Sequence, residues 1–98
     1  MAAYVIVEVD VTNPGEYEGY KALVPGTLQK YGGRFKVRGG KVELLEGENE
    51  PKRVVVLEFD SVEAAKRWYR SPEYMRALAI RQRAAKARLM IVEGVPDS

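Results

Sequence analysis

A chain of 98 residues, 46% hydrophobic and 31% charged, has the make-up of one globular domain able to bury its own core. It contains neither cysteine nor histidine, which excludes disulfides, thiolate nucleophiles, imidazole general bases and the zinc sites built from those residues. A net charge of +2 gives no general attraction to polyanions.

Arg70, Arg76, Arg81, Arg83, Lys86 and Arg88 crowd the later part of the chain, and Glu43, Glu46, Glu48 and Glu50 cluster in its middle. The basic group reads as a solvated helix face, so no nucleic-acid partner is expected. No apolar run approaches the ~20 residues of a membrane span. Glu8 and Asp10 break the first apolar run, so no secretory leader is expected and the expected setting is the cytoplasm.

Residues 2–11 read as a strand, with Val5, Val7, Val9 and Val11 alternating against Tyr4, Ile6, Glu8 and Asp10. Asn13 followed by Pro14 is a helix cap and first position. The helix from there to about residue 30 carries Tyr17, Tyr20, Val24, Leu28 and Tyr31 on one arc. Pro25 cannot donate to the carbonyl of Lys21, which predicts a kink or break. Gly32-Gly33 supplies the left-handed residue that ends a helix.

Residues 34–46 read as a hairpin about a primed Gly39-Gly40 turn, setting Val37 opposite Val42, Phe35 opposite Leu44 and Lys36 opposite Glu43. Residues 53–60 are apolar on both faces, the pattern of a central strand. Ser61 caps a helix to about residue 70. Ser71, Pro72 and Glu73 repeat the cap grammar and start another to about residue 85. Residues 86–95 close the chain as a strand, and the tail at 96–98 is expected to fray.

The order strand, helix, strands, two helices, strand is the split βαβ, ferredoxin-like plan: a single α+β domain over residues 1–98, an antiparallel sheet with helices on one face. The first strand and residues 53–60 fall in its centre. The uncovered face, to which Tyr4, Ile6, Val54, Val56, Leu89 and Ile91 are assigned with Glu8, Glu58 and Glu93, is too apolar to stay wet. A symmetric dimer with sheets face to face would cover it.

The stretch Trp68 to Tyr74, with Arg81 beyond it, reads as the wall of a small pocket. Arg81 lies on the helix arc of Tyr74, Leu78 and Ala85, so it needs either a protein carboxylate, a loop carbonyl or an anionic ligand. Arg53 and Arg38 are further anion contacts. Trp68, Tyr74 and Tyr20 are core aromatics able to line a site. No metal site or cofactor is expected.

With these residues laid out, the chain resembles the bacterial family known as domain of unknown function 1330. The resemblance spans nearly the whole length. It rests on Asn13-Pro14 with Tyr17 and Tyr20, Gly32-Gly33-Arg34-Phe35, Arg38-Gly39-Gly40, Leu45-Glu46-Gly47, and Pro51 with Arg53. It continues through Glu58-Phe59, Ala64-Ala65 with Trp68-Tyr69, Ser71-Pro72-Glu73-Tyr74, Arg81 and Val92-Glu93-Gly94. It implies a dimeric α+β barrel, in a superfamily of cofactor-independent monooxygenases, isomerase-like proteins, haem proteins and non-catalytic ligand binders. The haem branch is disfavoured without an axial histidine.

Three readings follow. One is a homodimeric module with a pocket for an anionic or aromatic small molecule. Another is a cofactor-independent monooxygenase or isomerase in which Glu46 or Glu58 takes a proton and Arg81 steadies an oxyanion. The third is a structural dimer without a pocket.

Overall fold

The computed structural model describes residues 1–96, so the fraying expected at the last two residues lies outside them. Its elements are β1 (Ala3–Val11), α1 (Pro14–Tyr31), β2 (Arg34–Arg38), β3 (Arg53–Phe59), α2 (Val62–Tyr69), α3 (Pro72–Ala84) and β4 (Ala85–Glu93). The four strands form one sheet in the order β2-β3-β1-β4, every neighbouring pair antiparallel. This is the ferredoxin-like α+β plan, with β1 and β3 central.

Local chemistry sets each boundary. Asn13 accepts a hydrogen bond from the Glu16 N–H at 3.2 Å, Ser61 from that of Ala64 at 3.0 Å, and Ser71 from that of Tyr74 at 3.0 Å. Each cap satisfies an N–H that the first helical turn would otherwise leave bare. Gly32, at φ 78°, ends α1 in the left-handed conformation and donates its N–H to the Leu28 carbonyl.

Three sequence expectations are corrected. First, of the kink or break expected at Pro25, the break does not occur, since α1 is one helix through it. The carbonyl of Lys21 that Pro25 cannot serve accepts a hydrogen bond from Arg38 Nη2 at 3.3 Å, so the lost helical bond is replaced from the sheet.

Second, residues 39–52 form no strand, and β2 pairs with β3 in place of the local hairpin. Phe35 stands opposite Leu57 and Val37 opposite Val56, with a bulge between them at Lys36. β3 offers apolar side chains on both faces, whereas residues 41–46 carry Lys41, Glu43 and Glu46. Pairing with β3 therefore buries more apolar surface. The bulge has a second effect. Its extra residue turns Val37 to the open face and Arg38 to the helix side.

Third, the faces of β4 are reversed. Ile91 pairs with Val5, Leu89 with Val7 and Glu93 with Ala3, so these three face the helix side. Met90 and Val92, opposite Ile6 and Tyr4, take their place on the open face.

The core lies between the sheet and the helices. Val5, Val7, Val9, Leu57 and Phe59 meet Tyr17, Tyr20, Val24 and Leu28 of α1, Trp68 of α2 and Tyr74 of α3. The helices are also tied at their ends, where Lys30 and Tyr31 of α1 both bond the carboxylate of Glu73 in the first turn of α3. The Lys30 ammonium, then the Tyr31 hydroxyl, holds the Glu73 pKa down at about 2.

A carboxylate depressed in the folded state stabilises at pH values above its unfolded value and loses that contribution as pH falls through the folded one. The Tm advantage of the native protein over Glu73→Gln is therefore expected to be full at pH 6. It should shrink between about pH 4.5 and pH 2 and vanish below that, read by thermal melts across pH. A difference that stays constant over this range would show that the clamp does not act through charge.

Candidate functional site

The aromatic stretch after α2 packs into the core as one cluster. The Trp68 ring lies 4.1 Å from that of Tyr74 and 5.4 Å from that of Phe59, centroid to centroid. Its Nε1–H donates to Thr27 Oγ1 at 2.9 Å, and that hydroxyl donates to the Val24 carbonyl at 2.7 Å. Tyr20 and Tyr74 share a hydrogen bond between their hydroxyls at 2.9 Å. Burial, and then the neighbouring Tyr74 phenol, pushes the Tyr20 hydroxyl far above its ordinary pKa, so it stays protonated. Burial also raises that of Tyr74. Neither phenol is a base at neutral pH.

A cavity of ≈ 30 Å³ lies between α1 and the sheet. Tyr17, Tyr20 and Val24 of α1, Val7, Phe35, Val55 and Leu57 of the sheet, and Trp68 of α2 form its apolar wall. Lys21, Arg38 and Arg53 bring three cations to it, and no acidic residue lines it. Arg53 stacks its guanidinium 5.7 Å from the Tyr17 ring centroid, and Arg38 stacks 4.4 Å from that of Phe35. A Cβ on Gly39 would collide with the Arg53 guanidinium, and Gly39 itself has φ 72°. Glycine there lets the chain pass over Arg53. The Arg53 Nε is buried without a hydrogen-bond partner, and no carboxylate comes within 4 Å of the side chain among the described residues.

Arg81 is the one buried arginine among the described residues. Only 6% exposed in the last turn of α3, it has no salt bridge among the described residues, and its Nε lacks a partner. No protein carboxylate among the described residues, one of the partners expected for it, comes within 4 Å of it. Its guanidinium lies 5.9 Å from the Tyr20 ring centroid instead, and its position in the last turn of α3 sets it near the negative end of that helix dipole.

Four residues expected at a site, Tyr20, Trp68, Arg53 and Arg38, are thus brought together around the cavity. Arg81 and Tyr74 are not among its lining residues, although Tyr20 touches both. Glu58 lies on the opposite face of the sheet, opposite Tyr4. It is bonded there by Arg34 Nε at 3.1 Å and by the Tyr4 hydroxyl at 3.3 Å. The Arg34 guanidinium keeps it below the ordinary carboxylate range. Glu46 is exposed on the loop 39–52.

Tyr17, Lys21 and Phe35 also line the cavity and were not among the site residues expected from the sequence. Tyr17 and Lys21 sit one turn apart on α1, a spacing that was legible. Phe35 was hidden by the mistaken hairpin. Among the described residues no group of acidic side chains is placed to hold a metal ion, and no helix is long and apolar enough to cross a membrane.

The model of one family, described as a domain of unknown function (DUF1330), matches residues 2–95. The chain belongs to the DUF1330 family. No functionally curated protein matches it. Among solved structures, this DUF1330 chain is similar to RPA0582 of Rhodopseudomonas palustris, a protein of unknown function, at 24% identity and TM-score 0.75, covering 98% of this chain and 84% of that one. A dimeric ferredoxin-like protein of unknown function from Jannaschia sp. CCS1 matches at 14% identity and TM-score 0.72, covering 96% and 100%. SnoaB of Streptomyces nogalater, a cofactor-independent oxygenase, matches at 11% identity and TM-score 0.63, covering 98% and 95%. At these identities the likeness carries the fold.

Proposed function

We propose that this DUF1330 protein is a cytoplasmic homodimeric binding module for a small carboxylate with an apolar or aromatic body. The observation that carries this reading is Arg53. A cation with a buried, unpartnered Nε, no carboxylate beside it and an apolar cavity in front of it lacks a counter-charge. An anionic head group supplies one. The half-open cavity of ≈ 30 Å³ takes the head group, and the ligand's body extends from its open side. Dimerisation is supported by the description of structural neighbours as dimeric and by the apolar open face of the sheet.

The oxygenase or isomerase reading requires a base at the same cavity. Glu58 is across the sheet and held deprotonated by Arg34, and Glu46 is in solvent. The binding reading needs no base, which is why it is preferred.

A thermal-shift series with acetate, propionate and benzoate against the matching neutral amides tests the proposal. Saturating carboxylate at ~100 Kd is expected to add about 2.7 kcal/mol of stability, and the amides nothing. Arg53→Met is expected to lose the carboxylate response, about tenfold or more in Kd, from removal of one charge-assisted contact. Equal shifts with acid and amide, or an unchanged response in the variant, would remove the basis for an anion site.

A further inference from the structure

The cavity between α1 and the sheet carries more positive charge than one carboxylate neutralises. Of its three cations, Lys21 has a counter-charge of its own, Glu18 at 3.0 Å. Arg38 and Arg53 have no carboxylate within 4 Å among the described residues. A single head group on Arg53 therefore leaves Arg38 uncompensated.

The sheet brings the two arginines side by side. Arg38 stands opposite Val55 of β3, and Arg53 lies two residues before Val55 on the same face of that strand. Such diagonal neighbours are about 7–8 Å apart, within reach of long side chains. The Arg53 guanidinium in fact lies against Gly39, the residue that follows Arg38, where a Cβ would collide with it. The bulge at Lys36 creates this placement. Without its extra residue, Val37 would face α1 and Arg38 would face the open side of the sheet. A valine on the helix side would bury apolar surface. The bulge puts a second cation there instead, beside a first one that repels it.

Both guanidiniums are held before any ligand arrives. Arg53 lies over the ring of Tyr17 and Arg38 over that of Phe35. Arg38 Nη2 is tethered to the Lys21 carbonyl, which leaves Nε and Nη1 to an anion. Two fixed cations whose repulsion an anion relieves are preorganised for a ligand with two negative groups.

We propose that the site selects short dicarboxylates, with the two carboxylates on neighbouring carbons of an apolar or aromatic body. One carboxylate meets Arg53 in the cavity. The other meets Arg38, which is exposed at the rim. The inference rests on the anion-site reading above and adds a second charge to its ligand.

Ligand titrations followed by thermal shift, above about pH 7 where carboxyls are ionised, compare benzoate, phthalate and monomethyl phthalate. Phthalate is expected to bind about fivefold or more tighter than benzoate, the effect of one further ion pair at a solvent-screened rim. Monomethyl phthalate has the size of phthalate and one charge fewer, so it is expected to bind like benzoate. Arg38→Gln keeps a donor for the Lys21 carbonyl and removes the charge. On that variant the ratio of the benzoate and phthalate Kd values is expected to fall to about one. Phthalate no tighter than benzoate, or monomethyl phthalate as tight as phthalate, overturns the second charge and leaves the single-anion site standing. Phenyl phosphate binding tighter than phthalate overturns the dicarboxylate by assigning both arginines to one phosphoryl group. No response to any of these anions overturns the site itself.

Discussion

Ile6→Glu is expected to be a folded monomer at micromolar concentration, where the native protein is expected to sediment as a dimer. Ile6 sits at the middle of the open face, opposite Val56 of β3 and Met90 of β4. Tyr4, Val54 and Val92 extend the same apolar surface, and the charged pairs Glu8 with Arg88 and Asp10 with Lys86 stand at one end of it. An apolar centre with a charged margin is the anatomy of a protein interface. Two copies stacked on this face bring Ile6 into a layer from which water is excluded.

A glutamate there loses its hydration without gaining a partner, at a cost on the order of several kcal/mol. An isologous contact contains the change twice. At 1.4 kcal/mol per decade, the dimer Kd is expected to rise by about three decades or more. The monomer should survive, because the side chain of Ile6 faces away from the helices and the core cluster does not include it. Sedimentation equilibrium with far-ultraviolet circular dichroism checks both halves. A variant that dimerises like the native protein would place the interface elsewhere.

The second large effect is expected inside the monomer. Trp68→Ala should lower the free energy of unfolding by about 3–5 kcal/mol, a large part of the 5–15 kcal/mol typical of a domain. Trp68 is 1% exposed and joins three other elements of the core: Phe59 of β3, Tyr74 of α3 and Thr27 of α1. Truncation leaves a void bounded by aromatic rings, which collapse poorly. It also removes the donor to Thr27 Oγ1. Trp68→Phe keeps most of the ring contact and loses chiefly that hydrogen bond, so about 1 kcal/mol is expected.

Urea titration followed by circular dichroism measures both variants, since this residue is the chain's only tryptophan and its fluorescence goes with it. A loss below about 1 kcal/mol for the alanine variant would contradict the packing described.

These two residues also mark the division between local and tertiary information. The three helices could be read from Asn13, Ser61 and Ser71, each followed by acid in the first turn, because capping is a contact between residues two or three apart. The buried face of β1 followed from the period of its valines, since alternation is a property of the extended backbone alone. The absence of histidine and cysteine bounded the chemistry without any structure.

What strand alternation cannot supply is the partner. Gly39-Gly40 carried a hairpin signal, yet β2 pairs with β3 and no strand forms at 41–46, because a turn signal does not say whether the segment beyond it has enough apolar surface to bury. The same register, with its bulge at Lys36, decided that Arg38 would face α1 and serve the carbonyl that Pro25 strands. It likewise decided which residues of β4 face out.

The site was legible as a set of residue types and not as a place. Tyr20, Trp68, Arg38 and Arg53 are far apart in the chain and meet only when α1, α2 and the sheet close on one another. Sequence spacing correctly put Arg81 on an apolar face, where a buried charge requires compensation. The tertiary structure alone determined the form of that compensation: the ring of Tyr20, the neighbouring Tyr74 hydroxyl and the end of a helix, with no carboxylate among the described residues. Local interactions wrote the elements into the sequence. The charges of the cavity and the open face exist only as sums over residues that folding brings together.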